Sequence, residues 1–140
     1  MGIISNKTKV QDLVRALSIQ YDKFFTNRQY KNTQFENNET EYMRQQNELA
    51  NDIKKEEDQI FEILKQYFNE VFPELNLIAY DSRFVAFSKS RVMLGVILVE
   101  NIKDGDESKI KRFLMENLFV EVKVDKLEDL PEEIRKKFKK

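Results

Sequence analysis

Apolar residues recur at spacings of three and four from Val10 through Leu13, Val14, Leu17, Tyr21 and Phe24 to Phe25, which predicts a helix with one wide apolar face. Thr8 and Gln11 have the spacing of a capping box, placing the helix start at Thr8, with Asp12 near the positive end of its dipole. From Thr26 to Thr40 the chain is rich in Asn, Gln, Thr and Glu, so a loop or helix break is expected around Asn27 to Thr33. A second helical pattern runs from about Glu36 to Val71. Tyr42, Leu49, Ile53, Ile60, Ile63 and Tyr67 fit alternating steps of four and three, with polar Gln46 and Glu56 at intervening seam positions. Phe61, Leu64, Phe68 and Val71 then broaden the apolar face, as expected where a helix leaves a narrow pair and docks on a larger core. No glycine or proline falls between Gly2 and Pro73, so nothing punctuates these helices until Pro73 disfavours helical geometry at Phe72. At 1.5 Å per residue the second helix is roughly 50 Å long. Such a helix must project or pair along its length.

After Pro73 the period changes. Leu75 to Tyr80, Arg83 to Ser88 and Val92 to Glu100 read as strands of an antiparallel meander, turning at Asp81-Ser82 and at Lys89-Ser90-Arg91. The run Val92 to Val99 lacks polar alternation and is expected at the centre of the sheet with both faces buried. Gly95 inside it suggests close approach by another backbone or a helix. Asp104-Gly105-Asp106 makes a turn, and Asp106 or Ser108 caps a helix whose face is Ile110, Phe113, Leu114 and Leu118. Phe119 to Val124 is a fourth strand, a parallel neighbour of Val92 to Glu100 through a right-handed crossover. A final helix carries Leu127, Leu130, Ile134 and Phe138, with Pro131 in its first turn.

The fold class is therefore α+β. A long helical hairpin or coiled-coil-like arm precedes a small four-stranded mixed sheet with helices packed on it, in the order helix-β-β-β-helix-β-helix. Residues 1–72 form the arm and 73–140 the α+β domain, one continuous core with 56–72. The seam of the long helix has two readings. It packs against the first helix within one chain, or it forms a homodimer or docks on another protein's helix.

The order from the end of the long helix to Phe119 to Val124 resembles the helix, three-strand, helix, strand core of restriction-endonuclease-like nucleases. The resemblance implies a metal-dependent site with an acid near the second strand and a Glu-x-Lys pair on the third. Asp81 and Glu100 stand for the two acids. Lys103 falls one position late, which on a strand puts it on the opposite face, so the resemblance implies a degenerate site as readily as an active one.

Composition narrows the chemistry further. The 140 residues contain no cysteine and no histidine, so disulfides, Cys/His zinc sites, thiol nucleophiles and histidine bases are absent. Only three glycines are present, in no phosphate-loop pattern. Asp104, Asp106 and Glu107 lack the ligand spacing of a calcium loop and read as a polar turn with a helix cap. No metal and no cofactor is expected. The charged fraction is 35%, yet net charge is only −1, and the segments before and after Pro73 are each nearly balanced, so bulk charge names no partner. No apolar segment precedes Lys9 as a signal peptide would require, and the longest apolar run is too short to span a bilayer, so a cytoplasmic chain without membrane association is expected.

One local bias remains. Arg135, Lys136, Lys137, Lys139 and Lys140 form a basic tail which, with Lys89, Arg91, Lys109, Lys111 and Arg112, is a candidate phosphate-binding face for nucleic acid. Cations also collect at helix C-termini because they complement the dipole. Taken together, the sequence points to a non-enzymatic protein-protein interaction or oligomerisation factor, in the form of a regulator or inhibitor that binds a larger machine. A nucleic-acid-associated protein using the basic tail is the alternative, with the nuclease-like enzyme as the third.

Overall fold

The computed structural model describes the backbone of residues 3–29 and 39–138, and the side chains of 6–26 and 40–138. Helices α1 (Ile3–Gln29) and α2 (Glu39–Val71) pair antiparallel: Asn6 bonds to Tyr67, Gln20 to Glu56, and Gln46 to the carbonyl of Phe24. The remaining elements are β1 (Asn76–Asp81), β2 (Ala86–Phe87), β3 (Val92–Glu100), α3 (Asp106–Leu118), β4 (Glu121–Lys126), a 3₁₀ turn (Leu127–Asp129) and α4 (Glu132–Phe138). The chain is α+β, with a mixed sheet: β3 runs antiparallel to β1 and β2 and parallel to β4.

Helix α1 begins at Ile3, so Thr8 lies inside it rather than capping it. Tertiary contacts override the local capping signal, because Asn6 reaches Tyr67 and the Lys7 ammonium sits 3.7 Å from the centre of the Phe119 ring. At the other end Asn27 to Gln29 are helical, and the rest of the expected break lies outside the described residues, as do residues 36–38 at the start of the second helix.

Val10, Val14 and Leu17 of α1 meet Ile53, Ile60, Ile63, Leu64 and Tyr67 of α2 in one buried cluster. The same cluster takes in Leu77, Tyr80, Leu94, Ile97, Val99, Val122 and Val124 of the sheet and Ile110, Leu114 and Leu118 of α3. Helices α1, α2 and α3 thus share one face of the sheet. At the junction of α2 and β1, Ser82 is fully buried. Its N–H and hydroxyl both donate to Glu57 Oε2, at 2.9 and 2.5 Å, leaving the Ser82 oxygen to accept from Tyr21 Oη at 2.8 Å. One carboxylate on α2 therefore ties both helices to the end of β1.

The three-strand meander is not what forms. Ala86 and Glu121 both pair with Met93, and Asp81 and Lys123 both pair with Val96. A strand has two edges, so β1 and β2 lie in line along one edge of β3 with β4 on the other. Asp81-Ser82 begins an interruption in that edge, because the Ser82 side chain is held inward by Glu57 and Tyr21 and cannot reverse the chain there. The Ser88 to Arg91 segment does turn as expected, with Ser88 N–H donating to the Arg91 carbonyl at 2.9 Å. The final helix also divides. Leu127 starts a 3₁₀ turn, and α4 begins only after Pro131, which favours extended geometry at Leu130 (φ −80, ψ 151).

Burial pushes the Tyr80 hydroxyl well above the ordinary tyrosine value of 10.0, and burial likewise raises Tyr21. An acid whose folded value is raised adds stability that is complete below its unfolded value and is lost as pH climbs through the folded one. Alkaline unfolding is therefore expected above about pH 10, with tyrosinate absorbance and loss of helical circular dichroism rising together. Tyrosinate formation with the helical signal intact would contradict the burial of Tyr80.

Candidate functional site

Tyr80, Ile97 and Val124 face the helices, so by alternation their neighbours Asp81, Val96 and Lys123 face away. Three cross-sheet rows build this second face: Ala79, Leu98 and Asp125; then Asp81, Val96 and Lys123; then Ala86, Met93 and Glu121. Its midline is apolar, its β4 margin is charged, and its β1–β2 margin carries Asp81 between Ala79 and Ala86. Helix α4 lies over the first row, where Leu130, Ile134 and Phe138 border a groove of about 520 Å³ with Ala79, Val96 and Leu98. No α4 side chain is fully buried, and Ile134 and Phe138 remain 39% and 40% exposed.

Nothing among the described residues covers the Met93 row. A second groove of about 360 Å³ is floored by Ala86, Met93, Gly95 and Val96 and bordered by Phe84, Arg91 and Lys123. Phe84 is the most exposed large apolar residue described, at 63%. Val96 belongs to both grooves, which makes one trough along β3 with α4 at one end. Two further hollows open around Arg91: one with Met115 and Lys111, the other with Lys89 and Phe119.

Electrostatics differ between the two ends. Beside α4, the bidentate Arg83 guanidinium holds the Asp81 carboxyl below its usual range, at 2.6 Å from Nη2 to Oδ2. At the uncovered end the cations Lys89, Arg91, Lys111 and Lys123 line the three hollows with Glu121 as the only carboxylate among their lining residues. Arg91 Nε donates to Glu121 at 2.8 Å, and Lys111 lies 3.4 Å from Glu107.

The residues singled out from the sequence fall in three places. Of the seam, Tyr42, Ile53, Ile60, Ile63 and Tyr67 are buried and Leu49 is half-buried, within the pairing of α2 and α1. Its polar gaps are partnered there only in part: Gln46 Nε2 donates to the Phe24 carbonyl at 3.5 Å and Gln20 Nε2 to Glu56 Oε1 at 3.1 Å, while Gln46 Oε1, Gln20 Oε1 and Glu56 Oε2 are buried without a hydrogen-bond partner among the described residues. The chain's own first helix occupies the seam.

Asp81, Glu100 and Lys103 are not brought together. Asp81 pairs with Val96 and Glu100 with Asn76, so the two acids sit at opposite ends of the β1–β3 ladder, about 13 Å apart along β3 at 3.3 Å per residue. Lys103 follows β3 in the turn before α3, where its N–H donates to Asp106. Among the described residues no group of three acids is placed to hold a metal ion.

The cations do not form one face either. Lys109 and Arg112 are exposed on α3, which covers the helical side of the sheet, whereas Arg135, Lys136 and Lys137 are on α4, across the opposite side. Lys89 and Arg91 flank the β2–β3 turn, and Lys139 and Lys140 lie outside the described residues. Sequence reasoning missed the trough itself. Its signal was exposed Phe84 with half-buried Met93 beside Lys123, visible only once the second face had been assigned.

No helix among the described residues is long and apolar enough to cross a membrane. In comparisons with known proteins, no family model matches the chain, and no curated protein or solved structure is significantly similar to it. Its class is defined by the fold alone: an α+β domain with a helical hairpin on one face of a mixed sheet and a half-open second face.

Proposed function

We propose that this chain is a non-enzymatic protein-protein interaction factor whose docking surface is the uncovered part of the second sheet face. One observation carries the reading: an apolar strip of Phe84, Ala86, Met93 and Val96 borders an open groove beyond the one that α4 lines. Contiguous exposed apolar surface with a polar rim marks interaction sites, because leaving it in water forgoes roughly 25 cal/mol per Å² of burial. The seam of α2 is spent on α1, so the long helix is scaffold for the sheet rather than the contact surface. A regulator or inhibitor that blocks a larger machine would act through this face.

The test is a photocrosslinking residue placed at Phe84 and, separately, at exposed Lys55 on α2, with irradiation in cells that express the chain. A discrete adduct with protein from position 84, absent from position 55, is the expected result. A nucleic-acid adduct from position 84, or no protein adduct beyond that of position 55, would defeat the reading.

A further inference from the structure

Resting on that reading, we infer that the partner element is an acidic amphipathic helix, laid beside α4 across the Met93 and Val96 rows. The first argument is shape. The chain already lays one short helix along this face, where Ile134 and Phe138, with Leu130 from the extended segment before it, line a groove with Leu98 and Val96. From Leu98 to Met93, β3 runs about 16 Å at 3.3 Å per residue. Neighbouring helices pack about 8–10 Å apart, so this length leaves room for a helix beside α4. Small residues make room for it: Ala86 and Gly95 lie in the floor, with Phe84 bordering the groove from the interruption between β1 and β2.

The second argument is charge. Arg91 and Lys123 border this groove and no carboxylate lines it, while Lys89 and Lys111 stand in the adjoining hollows. A helix with carboxylates flanking an apolar stripe answers both features, its stripe replacing water over Met93 and Val96 and an acid meeting Lys123, the groove's cation other than the Glu121-paired Arg91. Nucleic acid fits less well. The floor of the groove is aliphatic, and Phe84 is the one aromatic residue among its lining, so there is no platform on which successive bases could stack.

The experiment titrates the full chain against a fluorescent, helix-stabilised peptide of about 15 residues with leucines at steps of four and flanking glutamates. A lysine-for-glutamate version, single-stranded DNA and duplex DNA are the comparison probes. Saturable binding of the acidic peptide is expected, weakened roughly tenfold by Lys123→Glu and by Phe84→Ala. Both side chains are exposed, so the variants should keep the wild-type circular dichroism, and Lys55→Glu serves as the neutral control. The proposal is overturned if the acidic peptide fails to saturate, if the lysine peptide binds equally well, if the variants bind unchanged, or if DNA binds more tightly. A protein adduct at position 84 together with a failed peptide titration would defeat the helix and leave the interaction reading standing.

Discussion

Gly95→Ala should cost about 3 kcal/mol or more, against a total stability of about 5–15 kcal/mol for a domain of this size. Gly95 has φ +125, a conformation that side chains rarely adopt, and a Cβ there would collide with the backbone carbonyl oxygen of Asp81 and come within 3.3 Å of the Tyr80 ring. The colliding atom is main chain, on the strand paired to β3, so relief requires moving β1. Tyr80 is itself fixed by donating its hydroxyl to the Leu94 carbonyl. Gly105 supplies the control: its φ is +89 but nothing lies within 4 Å of an added Cβ. Gly105→Ala should therefore cost only the strain of the left-handed conformation, about 1–2 kcal/mol. Urea unfolding of both variants separates strain from collision. A Gly95→Ala loss no larger than that of Gly105→Ala would show that β1 does not approach β3 as described.

Ile60→Ala should lower stability by about 2–5 kcal/mol. Ile60 is fully buried between α1 and the sheet, so truncation leaves a cavity walled by elements that cannot all close on it. The loss should be the same at every protein concentration, since the residues around Ile60 belong to the same chain. Unfolding followed over a wide concentration range checks this. A midpoint for the wild-type chain that rises with concentration, and falls to a constant value in Ile60→Ala, would mean instead that the seam joins two copies.

The architecture was largely legible because its signals are long and periodic. Val10 to Leu17 and Ile53 to Tyr67 declare helical faces over many turns, and the unbroken apolar run of β3 declares a central strand. Gly95 was readable as a point of close approach, and the approaching group is the Asp81 backbone. What failed was short-range. Thr8 and Gln11 match a capping box, yet contacts from Asn6 and Lys7 extend the helix past them. Asp81-Ser82 has turn composition, but Glu57, far away in sequence, draws Ser82 inward and keeps β1 and β2 on one edge.

The candidate site was scarcely legible. An apolar strand with no alternation implies two covered faces, whereas Met93 and Val96 are only half-buried because α4 starts after Pro131 and borders only the Leu98 and Val96 end of this face. Assigning Phe84 to this surface needed the path of the interruption between β1 and β2. Conversely, the seam of α2 was visible from the start, but its partner was not, since a periodic apolar stripe looks the same whether it meets its own chain or another.

The central claim is that partners meet the sheet face and not the α2 seam, and the most direct test carries the photocrosslinking residue at Phe84 in one protein and at Leu49 in the other. The account predicts an intermolecular protein adduct from position 84, with position 49 reacting only within its own chain. An intermolecular adduct from position 49 with none from position 84 would contradict it and return the function to the long helix.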